Sequence, residues 1–276
     1  MLQPSPSCLI AENYDEATAK LPLDCQMEVY DQSEVFVEKD GDLEFSYTKA
    51  IFKQGNKFFY SISERRLPPA SVIEVPPSGL HEIPLHHIWP QVDINLTEAP
   101  DPLPPDCYVK EPRLIEYGDN KASLNPGSQL LHEATIWEAL KDSPHPNIAR
   151  FLGCIIKEKR LAGLCFVKYS MNLFEVVRSS KAVDIEGCLL GIENGIQHLH
   201  GLGYVHNDLN PSNIMMEGDV PIIIDMDSCQ LEGAKIGVKG GTVGWASCES
   251  GYAERKNDID ALSKIRSYLE EVCNRN

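Results

Sequence analysis

Long apolar runs, basic clusters and paired cysteines are all missing from this chain of 276 residues. No stretch approaches the ~18 consecutive apolar residues of a membrane-spanning helix. The opening residues, MLQPSPSCLIAENYDEA, hold no basic region followed by an apolar run of the kind that directs secretion. No membrane partner is therefore expected. Lys and Arg number 25 against 41 Asp and Glu, a formal net charge of -16. A surface that neutralises nucleic-acid phosphates needs Lys/Arg-rich patches, so no nucleic-acid partner is expected either. The nine cysteines, at 8, 25, 107, 154, 165, 188, 229, 248 and 273, form no CxxC pair and are odd in number. That pattern predicts neither a zinc site nor a full disulfide set, and it fits a reducing, intracellular and cytoplasmic setting.

What is present is ordinary globular composition, 42% apolar and 24% charged. The length suits one large domain or two small ones. Residues 26 to 63 alternate in the manner of strands, with turn signals at Asp40-Gly41-Asp42 and Gln54-Gly55-Asn56, so residues 1–65 read as a β-rich N-terminal extension. Residues 66–104 are Pro-rich and predict an irregular connection of extended segments and turns rather than helix. A short strand, Cys107-Tyr108-Val109-Lys110, precedes a helix predicted over about 128 to 141 with Ser128 as its cap. Strands follow near 148 to 156 and 162 to 168. A second helix over about 185 to 200 carries Leu189, Ile192, Ile196 and Leu199 on one face. After an apolar strand at 220 to 224 comes a final helix over about 257 to 272, with Ile259, Leu262, Ile265 and Leu269 assigned to one side. Strands dominate early and helices late, an α+β arrangement with two unequal lobes.

The chemistry concentrates in HNDLNPSNIM at 206 to 215 and IIIDMDS at 222 to 228. Asp208 and Asn213 lie five apart, and Asp225 follows Asn213 by twelve residues at the end of an apolar strand. Magnesium takes oxygen ligands, commonly one or two protein groups plus substrate phosphates. Asn213 and Asp225 suit that task, and a carboxylate outside the ligand set, Asp208, suits a general base. Turn-forming Asx residues are the plainer reading of all three.

HNDLNPSNIM resembles the catalytic loop of eukaryotic protein kinases, H-R-D-x-x-x-x-N, and IIIDMDS is similar to the strand and D-F-G motif that follow it. His145-Pro146-Asn147-Ile148 resembles the family's H-P-N-I turn, GGTVGWASCE at 240 to 249 resembles G-T-x-x-Y-x-A-P-E, and NDIDALSKI at 257 to 265 resembles its D-x-W-S-L-G helix. The resemblance covers roughly 105 to 270 and its motif variants look like divergent kinase-like proteins of fungi. It implies a two-lobed protein kinase-like fold, with a small mainly β N-lobe over 105–168 and a truncated helical C-lobe over 169–276. It also implies ATP and Mg²⁺. By resemblance Asp208 is the catalytic base, Asn213 and Asp225 hold magnesium, and Lys110 grips the α- and β-phosphates with Glu133 as its partner. Glu138 competes with Glu133 for that last assignment. Cys165 to Tyr169, and so Phe166, Val167, Lys168 and Tyr169, become the adenine-binding segment, while His206, Met226, Thr242 and Asp258 support the site.

Departures from the pattern matter as much. No G-x-G-x-x-G precedes Lys110, where APDPLPPDCYVK stands instead. Asn207 replaces the usual arginine, Asn210 replaces a lysine common in serine/threonine kinases, and D-F-G has become Asp225-Met226-Asp227. The sequence stops just past the Asp258 helix, so the resemblance implies a shortened C-lobe in which Glu249 lacks its usual partner. The expected activity is ATP-dependent phosphoryl transfer to a protein hydroxyl of serine/threonine type, the acceptor unspecified. Two alternatives stay open: an inactive or weak kinase-fold binding module, and a small-molecule phosphotransferase.

Overall fold

The computed structural model describes residues 27–39, 41–67, 79–120, 122–179, 183–236, 241–242, 244–245 and 250–273. The chain divides into two compact units, residues 1–82 and 83–276. In the first, β1 (Glu28–Lys39), β2 (Asp42–Gln54), β3 (Lys57–Ser63) and β4 (His81–Ile83) form one sheet in that order. Lys39 pairs with Asp42 and Gln54 with Lys57, so both hairpins close through two residues. Such tight connections need positive φ, which Gly41 and Gly55 supply at 89° and 58°. The predicted turns therefore stand where the glycines put them, although Asp40 is outside the described residues.

The second unit opens with α1 (Leu85–Ile88), a short helix inside the stretch predicted to lack one. Pro84 stands at its N-cap, where a missing N–H costs nothing. The following residues run along the next sheet: Val92 donates to the Lys159 carbonyl, Cys154 to that of Thr97, and Ala99 to that of Cys154. That sheet contains β5 (Cys107–Lys110), β6 (Phe151–Lys157) and β7 (Arg160–Val167), all antiparallel, in the order β5-β7-β6. Against it packs α2 (Pro126–Lys141). Asn125, not Ser128, caps α2, because Pro126 fits the first helical position and the Asn125 side chain accepts from the Ser128 N–H.

Gly153 explains how the Pro-rich segment comes so close to β6. Its φ is 132°, and a Cβ there would lie 2.6 Å from the Ala99 nitrogen and 2.7 Å from the Glu98 carbonyl carbon. Gly127 plays the same part in α2, where a Cβ would meet the Ile88 carbonyl oxygen at 2.5 Å.

The larger lobe holds β8 (Met171–Asn172), α3 (Leu173–Arg178), α4 (Ile185–Gly201), β9 (Tyr204–Val205), β10 (Ile214–Glu217), β11 (Val220–Ile223), β12 (Gln230–Leu231) and α5 (Arg255–Cys273). Asp184 caps α4, and Leu189, Ile192, Ile196 and Leu199 are all buried as the periodicity predicts. The lobes meet where Ala149 donates to the Ile223 carbonyl and Ile223 donates to that of Asn147. This is the α+β, two-lobed kinase-like fold expected from the motifs. In α5 the buried face includes Asn257, Asp258, Ala261, Ile265 and Leu269, whereas Ile259 is 57% exposed. At 100° per residue the stripe through Ile265 and Leu269 passes through 258 and not 259, so a carboxylate occupies the place assigned to an isoleucine. No described helix is long and apolar enough to cross a membrane.

Two outcomes follow from this packing. Cys154, Cys165, Cys188 and Cys229 are buried. Burial pushes the Cys154 and Cys188 thiols up to about 12 and that of Cys165 to about 11, and it raises Cys229 also. All four should resist iodoacetamide at about pH 8 in the native protein and label only in denaturant; rapid native labelling by mass spectrometry would contradict the burial. Gly153→Ala should destabilise the second unit by about 1–3 kcal/mol in urea titration, since a methyl there meets both a clash and a disfavoured φ.

Candidate functional site

β5 alternates its side chains, so Tyr108 and Lys110 share the face opposite that of Cys107 and Val109. From that face the Lys110 ammonium reaches Glu133 Oε2 at 2.6 Å and Asp225 Oδ1 at 2.7 Å. Glu133 is only 1% exposed. Its other oxygen accepts from the Trp137 indole at 3.1 Å, one turn along α2, and from the Met226 main chain at 3.2 Å. Three groups, from β5, α2 and the residues after β11, thus converge on one carboxylate. Glu138, the competing candidate, accepts from the Thr97 N–H and hydroxyl and pairs with Lys141, which makes it a clamp on the Pro-rich segment.

The charges are mutually dependent. Burial favours a neutral Lys110, but the carboxylates of Glu133, Asp225 and Asp227 outweigh it and raise the ammonium above the ordinary lysine value. Burial likewise pushes the Asp225 carboxyl up; the Lys110 cation, with the Asp227 N–H, more than cancels this and holds it below the usual range. Glu133 is pushed up by burial, with Lys110 opposing.

The loop from His206 to Asn213 presents a second cluster. Asp208 Oδ1 accepts from the Thr242 main chain at 2.7 Å and from the Asn210 amide at 3.4 Å, and Oδ2 accepts from the Asn213 amide at 3.2 Å. His206 is fully buried, linking the Asp208 N–H to the Ile224 carbonyl. Below the loop, Asp258 accepts from the main-chain N–H of His206 and Asn207 and from His200, each at 2.9 Å. Asn207 has φ 64° and is buried, its amide bonded to the Val205 and Ser228 carbonyls. Asparagine tolerates that conformation, and here it ties the backbone.

The two clusters are joined by main chain: Ile224 donates to the Asn213 carbonyl at 3.0 Å, setting Asn213 beside the residue before Asp225. With the Asn213 nitrogen given to Asp208, its side-chain oxygen has no hydrogen bond among the described residues. Asp225 Oδ1 is taken by Lys110 and the Asp227 N–H, leaving Oδ2 likewise.

A cleft of about 350 Å³ lies over these groups, and Phe166, Val167, Lys168 and Tyr169 border it together with Lys110, Glu133 and Asp225. Asp208, Asn213 and Thr242 are gathered beside it rather than in its wall. Sequence reading missed Tyr108, Ser212 and Met215, which also line the cleft. Strand alternation from Lys110 identifies Tyr108; the others follow only from tertiary structure. Glu249 lies outside the described residues.

Comparison with known proteins points to one family. A family model described as protein kinase domain matches residues 114–260. Human receptor-interacting serine/threonine-protein kinase 1 is 30% identical over 118 residues, 42% of this chain and 16% of that protein. The serine/threonine-protein kinase/endoribonuclease IRE1 of Hypocrea jecorina is 32% identical over 125 residues, 38% of this chain and 10% of its own. Mouse serine/threonine-protein kinase 16 is 34% identical over 109 residues, 33% and 35% of the two chains. The matched segments thus span between 10% and 35% of these relatives' own length, and the family match begins after Lys110.

Removing the Asp258 carboxylate strands two main-chain donors and an imidazole in the interior. Asp258→Ala is expected to cost about 3 kcal/mol or more in urea unfolding; a loss under about 1 kcal/mol would mean the loop is held elsewhere. Because the folded-state value of Asp225 is depressed, its contribution is present above the ordinary carboxylate range and is lost as pH falls through that lower value. Asp225→Asn should therefore reduce the slope of stability against pH below about pH 4, by up to roughly one proton.

Proposed function

The chain belongs to the protein kinase family, and we propose that it transfers the γ-phosphoryl group of ATP to a serine or threonine hydroxyl of a protein. The observation carrying this reading is the Lys110 ammonium held between Glu133 and Asp225 at 2.6 and 2.7 Å, on the wall of a cleft of nucleotide size. A fixed cation there suits the α- and β-phosphates, and positioning with charge neutralisation is most of what phosphoryl transfer asks of a protein. The chain between Phe166 and Tyr169 would receive the adenine. Asn213 and Asp225 fit magnesium, since each offers an uncommitted oxygen and hard cations prefer oxygen donors. Among the described residues no group of three or more His, Cys, Asp and Glu is arranged to hold a metal, so two protein oxygens leave the remaining positions to phosphate and water. Bound magnesium would neutralise charge on the transferring group.

Asp208 is the proposed base. Donors on both oxygens fix its direction, and the acceptor hydroxyl would take the place of the Thr242 N–H on Oδ1. Asn210 stands where a cation would steady the phosphoryl oxygens; it contributes orientation and no charge, so turnover slower than that of lysine-bearing relatives is expected.

A second reading, a kinase-shaped binding module without turnover, draws on two observations: the Thr242 N–H already on the base, and the lack of a glycine-rich run before β5. Thermal unfolding with and without Mg·ATP, in wild type and Asp225→Ala, separates the readings when combined with phosphate incorporation into a peptide library. The kinase reading expects a Tm rise lost in the variant, and incorporation lowered at least about a hundredfold by Asp208→Ala. A rise without incorporation would favour the binding module. No rise at millimolar Mg·ATP would sink the nucleotide site altogether.

A further inference from the structure

A second cavity, of about 580 Å³, lies behind the cleft, between the end of α2, the His145-Pro146 turn and the start of β6. Trp137, Ala149 and Tyr169 border both spaces, so they form a common wall. The volume falls in the range of small-molecule sites, about 300–1,000 Å³. Its apolar lining includes Trp137 and Phe151, whose rings stack at 6.2 Å and 23°, together with Leu140 and Ile222.

The polar groups on this lining define the charge of an occupant. Lys141 is committed to Glu138 and the Thr97 hydroxyl. Burial and the neighbouring His198 hold His145 below the ordinary histidine value, so it is neutral near pH 7. Arg150 differs: its main-chain N–H donates to the Tyr169 hydroxyl at 3.3 Å, but its guanidinium makes no hydrogen bond or ion pair among the described residues. Tyr169 accepts that bond and keeps its own proton to donate. Glu217 borders the same cavity and opposes a second negative charge. One guanidinium and one phenol beside aromatic walls suit a flat ring bearing a single carboxylate.

We propose that this rear cavity binds an aromatic monocarboxylate, with its ring against Trp137 and Phe151 and its carboxylate on Arg150 and the Tyr169 hydroxyl. The occupant would bear on the residue whose indole N–H holds Glu133, and so on the partner of Lys110. The site needs no nucleotide and stands whether or not the cleft turns over ATP.

Calorimetric titration of the full chain with 2-naphthoate, and separately with neutral 2-naphthol, tests it. Naphthoate is expected to bind one to one and at least about tenfold tighter than naphthol. Arg150→Gln should erase that preference, and its position at the surface leaves folding intact. Glu217→Gln should tighten naphthoate by about threefold while leaving naphthol unchanged. Absence of naphthoate binding at millimolar concentration, equal affinity for the two probes, or binding indifferent to Arg150→Gln would each overturn the proposal.

Discussion

Asp258 is buried without exposure on α5, yet it accepts hydrogen bonds from two consecutive main-chain N–H groups of the loop that carries Asp208. A buried carboxylate is tolerable only when its oxygens are satisfied, so helix, loop and His200 must form together or not at all. Asn257, next to it, bonds Asn207 and the Tyr252 carbonyl and extends the same constraint to the residues that lead into α5. The loop that carries the proposed base is thus anchored by α5 at the two residues before it.

A comparable dependence operates in the smaller lobe. Glu133 serves Lys110, Trp137 and Met226 at once, so β5, α2 and the turn after β11 are registered by one side chain. Withdrawing any of the three leaves a buried polar group with less than its full complement, which costs far more than the net worth of a typical hydrogen bond. Met226 keeps the apolar role of the usual phenylalanine by being fully buried, while its backbone supplies the polar tie. Loss of the familiar aromatic therefore does not loosen this junction.

Much of this was legible in the sequence, for identifiable reasons. Helix α4 announced its buried face through Leu189, Ile192, Ile196 and Leu199, since nothing polar interrupts their spacing. The resemblance names Glu133 over its competitor Glu138 as the partner of Lys110, and the fold has Lys110 on Glu133 with Glu138 engaged by Thr97. Errors arose where polar residues take buried places or where a distant segment decides. The periodicity assigns Ile259 to the core face, where Asp258 stands instead; Asn125 caps α2 in place of Ser128 because Pro126 fits the first helical position; and the Pro-rich stretch carries α1 and main-chain hydrogen bonds to the sheet. Hydrophobic pattern reports burial, but it is silent on which main-chain groups find partners across long sequence separations.

The docking of residues 97–99 on β6 has a consequence for solubility during synthesis and storage. An uncovered strand is a template for another molecule's backbone, and a long, flat, apolar edge is where aggregation starts. On β6 that template is filled from within the same chain, through the hydrogen bonds of Cys154 with Thr97 and Ala99. The opposite margin, β5, is only four residues long and follows directly on a run of prolines, which cannot extend a ladder. The sheet that carries Lys110 is thus poorly suited to recruiting a neighbour, a protection obtained from the segment whose prolines favour extended chain over helix.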